Sequence, residues 1–382
     1  MQYSNFGYIY RPISKLGFGL MRLPKKEENS EVIDRDEAFR LIDLAMKSGV
    51  NYYDTAYFYH GGDSEQFVKE ALSRYPRESF CLATKLPSGV IKDKEKNTEE
   101  IFNGQLEKCG VDYFDFYLLH AVNRDNMQIF EEDKSYEYLT EQKKAGKIKH
   151  LGFSYHGDLD FFLNLIDKYK WDFVQLQINY YDWENQNAKA YYKALEERKI
   201  PCIVMEPVRG GSLHTLNDEA KKVFEKLGDA SAASYALRYV AELPNVLVTL
   251  SGMSTYEQVV DNLKTFDECK PLLDVERDAI EKANILFRKN FAVPCTDCKY
   301  CVETCPAGIN IPACFKAYNE YNKTRDTADF SKHYELISNE QKLSLFPEII
   351  VSYPFGIRVI KSCAPTRRAA IIHSSSVASK LP

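Results

Sequence analysis

Eight short runs rich in β-branched and aromatic residues recur along the chain, each followed by a longer amphipathic stretch. This alternation constrains the fold more than any other feature. The runs cover residues 13–20, 50–53, 80–85, 114–119, 148–153, 173–178, 200–205 and 246–250. The amphipathic stretches cover 35–48, 64–74, 98–109, 134–145, 159–169, 188–198, 230–241 and 255–266. Short apolar runs bounded by turn signals read as buried strands, and apolar residues at a period of 3.6 read as helices facing a core. The first stretch opens on Asp36-Glu37 and closes on Lys47-Ser48-Gly49, the charge order and C-cap glycine a helix favours. Strands joined by helices run parallel. Eight such units fit a (β/α)8 TIM barrel, a fold of about 250 residues. The expected class is therefore α/β. A doubly wound dinucleotide-binding sheet should show G-x-G-x-x-G after its first strand. Here that strand ends Gly17-Phe18-Gly19-Leu20-Met21-Arg22, without the third glycine.

Barrel sites are built where the strands end, so the residues at the strand exits are the first place to look for chemistry. The second strand runs out into Asp54-Thr55-Ala56-Tyr57-Phe58-Tyr59-His60-Gly61, the third into Thr84-Lys85 and the fourth into Leu118-Leu119-His120. Three adjacent exits thus carry an acid, a tyrosine, a lysine and a histidine. With these contexts and in this order, the segment from 1 to about 285 resembles the aldo-keto reductase superfamily. The resemblance implies a catalytic tetrad of Asp54, Tyr59, Lys85 and His120 and a small-molecule aldehyde or ketone as substrate. Carbonyl reduction needs a hydride at carbon and a proton at oxygen. A free tyrosine, with a pKa near 10, becomes a usable acid and base when an ammonium stabilises its phenolate. Lys85 would supply that charge, Asp54 would hold Lys85, and His120 would orient the carbonyl.

The same resemblance implies a nicotinamide coenzyme, NADP or NAD. Gly19, Met21 and Arg22 at the first exit belong to its binding set. Ser154 and Gln177 would bond the carboxamide, with Asn179 nearby; Tyr155 stands where many members have asparagine. The segment Met205–Leu213 looks like the loop over the pyrophosphate, with Pro207, Arg209, Gly210, Gly211 and Leu213 lining it. Gly252, Met253 and Ser254 would reach the adenosine phosphate, with Gln258 and Asn262 near adenine. Members that prefer NADPH often carry a lysine and an arginine where Gly252 and Gln258 stand, which weakens the NADP assignment. Arg209 could add charge from its own loop.

Five of the ten cysteines crowd into residues 295–314. Residues 295–306 read C-x2-C-x2-C-x3-C-P, the run that holds a [4Fe–4S] cluster in bacterial ferredoxins. Cys295, Cys298, Cys301 and Cys305 are the expected ligands. Four thiolates also suit zinc. In two-cluster ferredoxins the fourth cysteine serves the other cluster, and no second run follows here. Cys314 and Cys363 therefore stay open as alternative fourth ligands. The chain resembles the subset of aldo-keto reductases with a ferredoxin-like C-terminal extension. The expected organisation is a barrel over 1–287, an iron–sulfur segment over 288–321 and an irregular tail over 322–382.

A net charge of −5 favours neither nucleic acid nor an anionic membrane as partner. No basic n-region with an apolar core opens the chain, and no 18-residue apolar run occurs, so a cytoplasmic location is expected. Clustered cysteines then read as ligands rather than disulfides. The leading reading is an NAD(P)H-dependent carbonyl reductase. The alternative is an iron–sulfur electron-transfer or redox-sensing protein that uses the barrel as a nucleotide module and works with a redox partner protein.

Overall fold

The barrel strands are buried on both faces, and their period of two sorts their side chains into two cores. Tyr52, Cys81, Ala83, Phe116, Leu118 and Phe173 fill the barrel interior. Tyr53, Leu82, Leu86, Tyr117 and Leu119 point outward into the layer between strands and helices. The computed structural model describes residues 1–7, 9–27, 30–288, 293, 295, 302, 309–324, 351–352, 357–360 and 370–373.

Two short strands come first, β1 (Tyr3–Ser4) and β2 (Ile13–Ser14), paired antiparallel. The barrel strands follow: β3 (Leu16–Gly19), β4 (Tyr52–Asp54), β5 (Cys81–Leu86), β6 (Phe114–Val122), β7 (Ile148–Tyr155), β8 (Phe173–Gln177), β9 (Cys202–Met205) and β10 (Val246–Gly252). They close in the order β10-β3-β4-β5-β6-β7-β8-β9. The (β/α)8 expectation therefore holds. The run 13–20 is not one strand, however. Ser14 turns its hydroxyl to the Leu16 carbonyl at 2.7 Å and exchanges bonds with Asn51 at 2.8 and 3.0 Å. The bond to Leu16 is local and those to Asn51 are long-range, and both compete with the ladder. Ile9 and Ile13, just ahead of β3, pack into the interior core.

The helices are α1 (Arg35–Lys47), α2 (Ser64–Leu72), α3 (Ser88–Lys92), α4 (Thr98–Cys109), α5 (Arg124–Glu132), α6 (Ser135–Lys144), α7 (Leu159–Lys168), α8 (Asp182–Asn185), α9 (Ala188–Glu197), α10 (Asp218–Glu225), α11 (Ala232–Ala241), α12 (Tyr256–Glu268), α13 (Asp274–Arg288) and α14 (Ile311–Thr324). Capping shows why they start and stop where they do. Asn97 and Glu100 form a reciprocal capping box at α4, and Gly110 ends it with φ of 64°, a left-handed turn that glycine adopts without a Cβ clash. Helices α3, α5, α8 and α10 sit in loops after strands, outside the eight amphipathic stretches read from the sequence.

The chain divides into two units, Met1–Val208 with Asp229–Arg277, and Arg209–Gly228 with Asp278–Pro382. This differs from the expected division at 287. The segment 209–228 belongs with the C-terminal part; within that unit the Asn217 amide donates to the Leu286 carbonyl at 3.3 Å. The second unit has its own small core of Val293, Ile311 and Phe315. Its last stretch, expected to be irregular, contains the strands Val351–Ser352, Ile357–Ile360 and Ala370–His373 in one antiparallel sheet. The Ile-Arg-Val-Ile and Ala-Ile-Ile-His runs are β-formers.

Candidate active site

The inward alternation that fills the barrel continues past its last apolar layer, and the next inward positions are polar. After Tyr52 comes Asp54, after Ala83 comes Lys85, after Leu118 comes His120, and after Phe173 comes Gln175. All four are buried. Tyr59 opens a tight turn, Tyr59–Gly62, in which His60 and Gly61 take left-handed φ of 55° and 64°. His60 is held there by the Leu20 carbonyl at 3.1 Å.

The expected tetrad is brought together. The Lys85 ammonium donates to Asp54 Oδ1 at 2.5 Å, to the Thr55 carbonyl at 2.7 Å and to the Tyr59 hydroxyl at 3.3 Å. Lys85 is 1% exposed and Asp54 3%. Tyr59 and His120 meet edge to face, with ring centroids 6.1 Å apart. His120 lies where β6 loses register with β7, between Leu119 and Val122, and the next residue, Ala121, has φ of 51°. A bulge re-aims the side chains beside it. A left-handed non-glycine residue costs about 1–3 kcal/mol and persists where surrounding bonds impose it. Here Ala121 N–H donates to Ser154 Oγ at 2.8 Å.

The exits of β3, β9 and β10 adjoin one another. Ser254 Oγ donates to the Arg22 carbonyl at 2.6 Å, and an Arg22 amine lies 3.7 Å from a Glu206 oxygen. Gly19 pairs with Gly252 in the barrel ladder, Met21 lies in the turn Leu20–Arg22, and Pro207 follows Glu206. Not every expected coenzyme residue has a free side chain. Met253 is fully buried in the layer between barrel and helices, so it can offer only its backbone. Gln258 accepts from Ser254 N–H at 2.7 Å, and the Asn262 amide donates to Ser251 at 2.8 Å. Gln177 and Asn179 both donate to Asp182, at 2.8 and 2.7 Å. Arg209, Gly210, Gly211 and Leu213 fall in the second unit, where Arg209–Gly211 forms one turn with φ of 51° at Arg209 and 62° at Gly210.

With this geometry, residues 15–285 match the aldo/keto reductase family. The chain belongs to that family. It is 26% identical over 312 residues to YqkF of Bacillus subtilis, an uncharacterized oxidoreductase, across 71% of this chain and 95% of that protein. It is 23% identical over 296 residues to the NADH-specific methylglyoxal reductase of Escherichia coli, across 66% of this chain and 89% of that one. Among solved structures, the holo form of aldo-keto reductase AKR11C1 from Bacillus halodurans superposes with a TM-score of 0.60 at 26% identity, covering 74% of this chain and 96% of that one. This aldo/keto reductase is an NAD(P)H-dependent oxidoreductase.

In the aldo/keto reductase, burial sets the charge states. It pushes Lys85 below its usual range, and the Asp54 carboxylate opposes that shift. It raises Asp54, opposed by Lys85 and by the Gln175 amide, which donates to Asp54 Oδ2 at 3.2 Å. His120 is driven well below 6.5, by burial first, then by the Lys85 charge and His156. Its imidazole is therefore neutral near pH 7. Gln175 escaped the sequence reading, although counting by two from Phe173 would have found it. The aromatic segment Tyr180-Tyr181-Asp182-Trp183, which could have lined a substrate pocket, is largely core: Tyr180 and Tyr181 are buried, and Trp183 packs on Tyr192 and Tyr239. Phe58, at 42% exposure, stands against Tyr57 at the second exit.

Among the described residues no cluster of three or more His, Cys, Asp or Glu could hold a metal. Cys295 is described and partly exposed; Cys298, Cys301 and Cys305 lie outside the described residues. No described helix is long and apolar enough to cross a membrane.

Proposed function

We propose that this enzyme reduces the carbonyl of a small aldehyde or ketone, with Tyr59 as proton donor. The observation that carries the reading is the Lys85 ammonium, buried at the strand exits between Asp54 and the Tyr59 hydroxyl. Bound NAD(P)H would supply the hydride to the carbonyl carbon. Tyr59 gives its proton to the carbonyl oxygen, and the resulting phenolate faces Lys85. Asp54, anchored by Gln175, keeps the ammonium aimed. Neutral His120 bonds the carbonyl oxygen without competing as an acid. Preorganised donors of this kind need no rearrangement as charge develops.

The residues of the barrel unit fit the coenzyme. Ser154 accepts one bond at its oxygen and keeps a proton to donate, which suits a carboxamide oxygen, and Gln177 stands at the next exit. Gly19, Met21, Arg22, Pro207 and Gly252 stand at the neighbouring exits, with Gln258 and Asn262 in the helix after β10. Tyr59→Phe is the test. Carbonyl-dependent coenzyme oxidation should fall by about 10²–10⁴-fold, the usual worth of a positioned acid, with coenzyme binding retained. Full activity in that variant would remove Tyr59 from the mechanism.

The cysteine run extends the reading: Cys295, Cys298, Cys301 and Cys305 bind a [4Fe–4S] cluster. Four closely spaced thiolates are the donor set iron takes in such runs. Cys295 stands two residues after Val293, whose backbone N–H and carbonyl both bond the Asn319 side chain, at 2.8 and 2.7 Å. When bound, the cluster would supply one-electron chemistry, for which a redox partner protein is required. Protein purified without oxygen should hold about four irons and four sulfides per chain. Zinc in their place, or no metal, would end this part of the reading. A reducing, cytoplasmic location belongs to the same proposal, supported by free thiols at Cys81, Cys109, Cys202 and Cys269.

A further inference from the structure

The groove between the β3, β9 and β10 exits carries a charge arrangement that proton and hydride transfer do not need. Arg22 lays its stem across Gly252: a Cβ on that glycine would stand 3.1 Å from the Arg22 Cβ and 3.3 Å from its Cγ and Cδ. A longer side chain at 252 would have to displace Arg22, so the cation at this point comes from the β3 exit and not from β10. That cation is shared. Its terminal nitrogen lies 3.7 Å from Glu206 Oε1, close enough to feel the charge and too far for a hydrogen bond. Glu206 is the more buried partner, 15% exposed against 36% for Arg22. Its backbone has φ of 56°, and Pro207 follows it. The adjoining segment 251–263 contains no lysine or arginine and two acids, Glu257 and Asp261. Of these acids Asp261 accepts from Ser231 at 2.6 Å, and the carboxylate facing Arg22 is that of Glu206.

NADH and NADPH differ by one phosphate on the adenosine ribose. At neutral pH that group carries about −1.5 to −2 charges, as phosphate monoesters do, and it is recognised by arginine or lysine donors. In the barrel unit a single arginine at these exits, already facing a carboxylate, would have to serve both the pyrophosphate and the extra phosphate. Without the extra phosphate, Arg22 can turn to the pyrophosphate while Glu206 stays in place.

We infer that Glu206, acting through Arg22, makes this enzyme prefer NADH over NADPH. The inference rests on the proposed coenzyme site. Titrating the full chain with NADH and with NADPH, and following coenzyme fluorescence, gives both dissociation constants. NADH should bind at least about tenfold more tightly. Glu206→Gln should shrink that ratio by about tenfold, mainly by tightening NADPH, and Arg22→Gln should weaken both coenzymes. Equal or tighter binding of NADPH by the wild-type chain, with Tyr59-dependent reduction intact, would overturn the preference and leave the proposed reaction standing. So would a Glu206→Gln variant in which both affinities move together. Failure of both coenzymes to bind, or indifference of both to Arg22→Gln, would overturn the coenzyme site and the preference with it. The wild-type ratio tests the preference, and the Glu206→Gln ratio tests its cause; Glu206→Ala serves in its place if the first variant does not fold.

Discussion

The Glu65 carboxylate accepts the Thr84 hydroxyl at 2.7 Å, one residue before Lys85. The same oxygen accepts the Gln105 amide at 2.5 Å, and that amide also donates to the Lys85 carbonyl at 3.0 Å. Gln105 in turn accepts from Tyr117 at 2.5 Å. A buried polar network outside the barrel thus grips the strand that presents the ammonium inside it. Glu65 is fully buried, and its other oxygen has no hydrogen-bond partner among the described residues. Glu65→Ala should cost about 1–3 kcal/mol for each donor left unsatisfied, whereas Glu65→Gln keeps an acceptor and should cost far less. Urea unfolding of the two variants checks this. Equal losses would mean that side-chain volume, not the bonds, is what matters.

Removing Lys85 should be worse for folding than removing the pair. Lys85→Met leaves the Asp54 charge buried and uncompensated, a loss of about 3–5 kcal/mol. Adding Asp54→Asn to that variant should recover most of the stability and none of the activity. Unfolding curves and single-turnover rates on the single and double variants separate the two roles.

Gln175→Leu removes the bond to Asp54 Oδ2, and bonds to charged groups are worth about 1.5–3 kcal/mol. Because Gln175 acts through Asp54 and Lys85, kcat should fall while the KM for the carbonyl changes little. A rise in KM alone would place Gln175 against the substrate.

Acid should act through the histidines. His60, His120 and His150 are pushed below 6.5 and His156 to about 4, with burial the leading cause in each case. The unfolded chain takes up these protons near 6.5 and the folded one does not. The unfolded state therefore binds more protons below about 6.5, for His156 down to about 4, and the histidines' contribution to stability falls as the pH drops from about 6.5. Asp54 and Glu65, raised by burial, act in the opposite sense toward the acidic end. The difference between wild type and His156→Asn isolates one imidazole. Its unfolding midpoint should fall less on acidification than the wild type's, and parallel curves would contradict the assignment.

Much of the site was legible because its residues obey local rules. Asp54, Lys85 and His120 end strands whose period of two points them inward, and the glycines after Tyr59 signal the turn that returns it to Lys85. Gln175 obeys the same rule but carries no charge to draw attention. The burial of Met253 was not legible, because backbone continuity with Gly252 and Ser254 says nothing about which core claims its side chain. The split of 13–20 depends on Asn51, 37 residues from Ser14 in the chain.

The order of strands and helices, and the exits at which the acid, tyrosine, lysine and histidine stand, were determined by the sequence itself, since periodicity and turn chemistry act over a few residues. Only the tertiary structure decided that Ser154 anchors the bulge beside His120, that Gln175 supports Asp54 across the barrel, and that Arg22 lies over Gly252 facing Glu206. Each of these contacts joins residues remote in the chain, and their meeting depends on barrel closure and register, which no local pattern encodes.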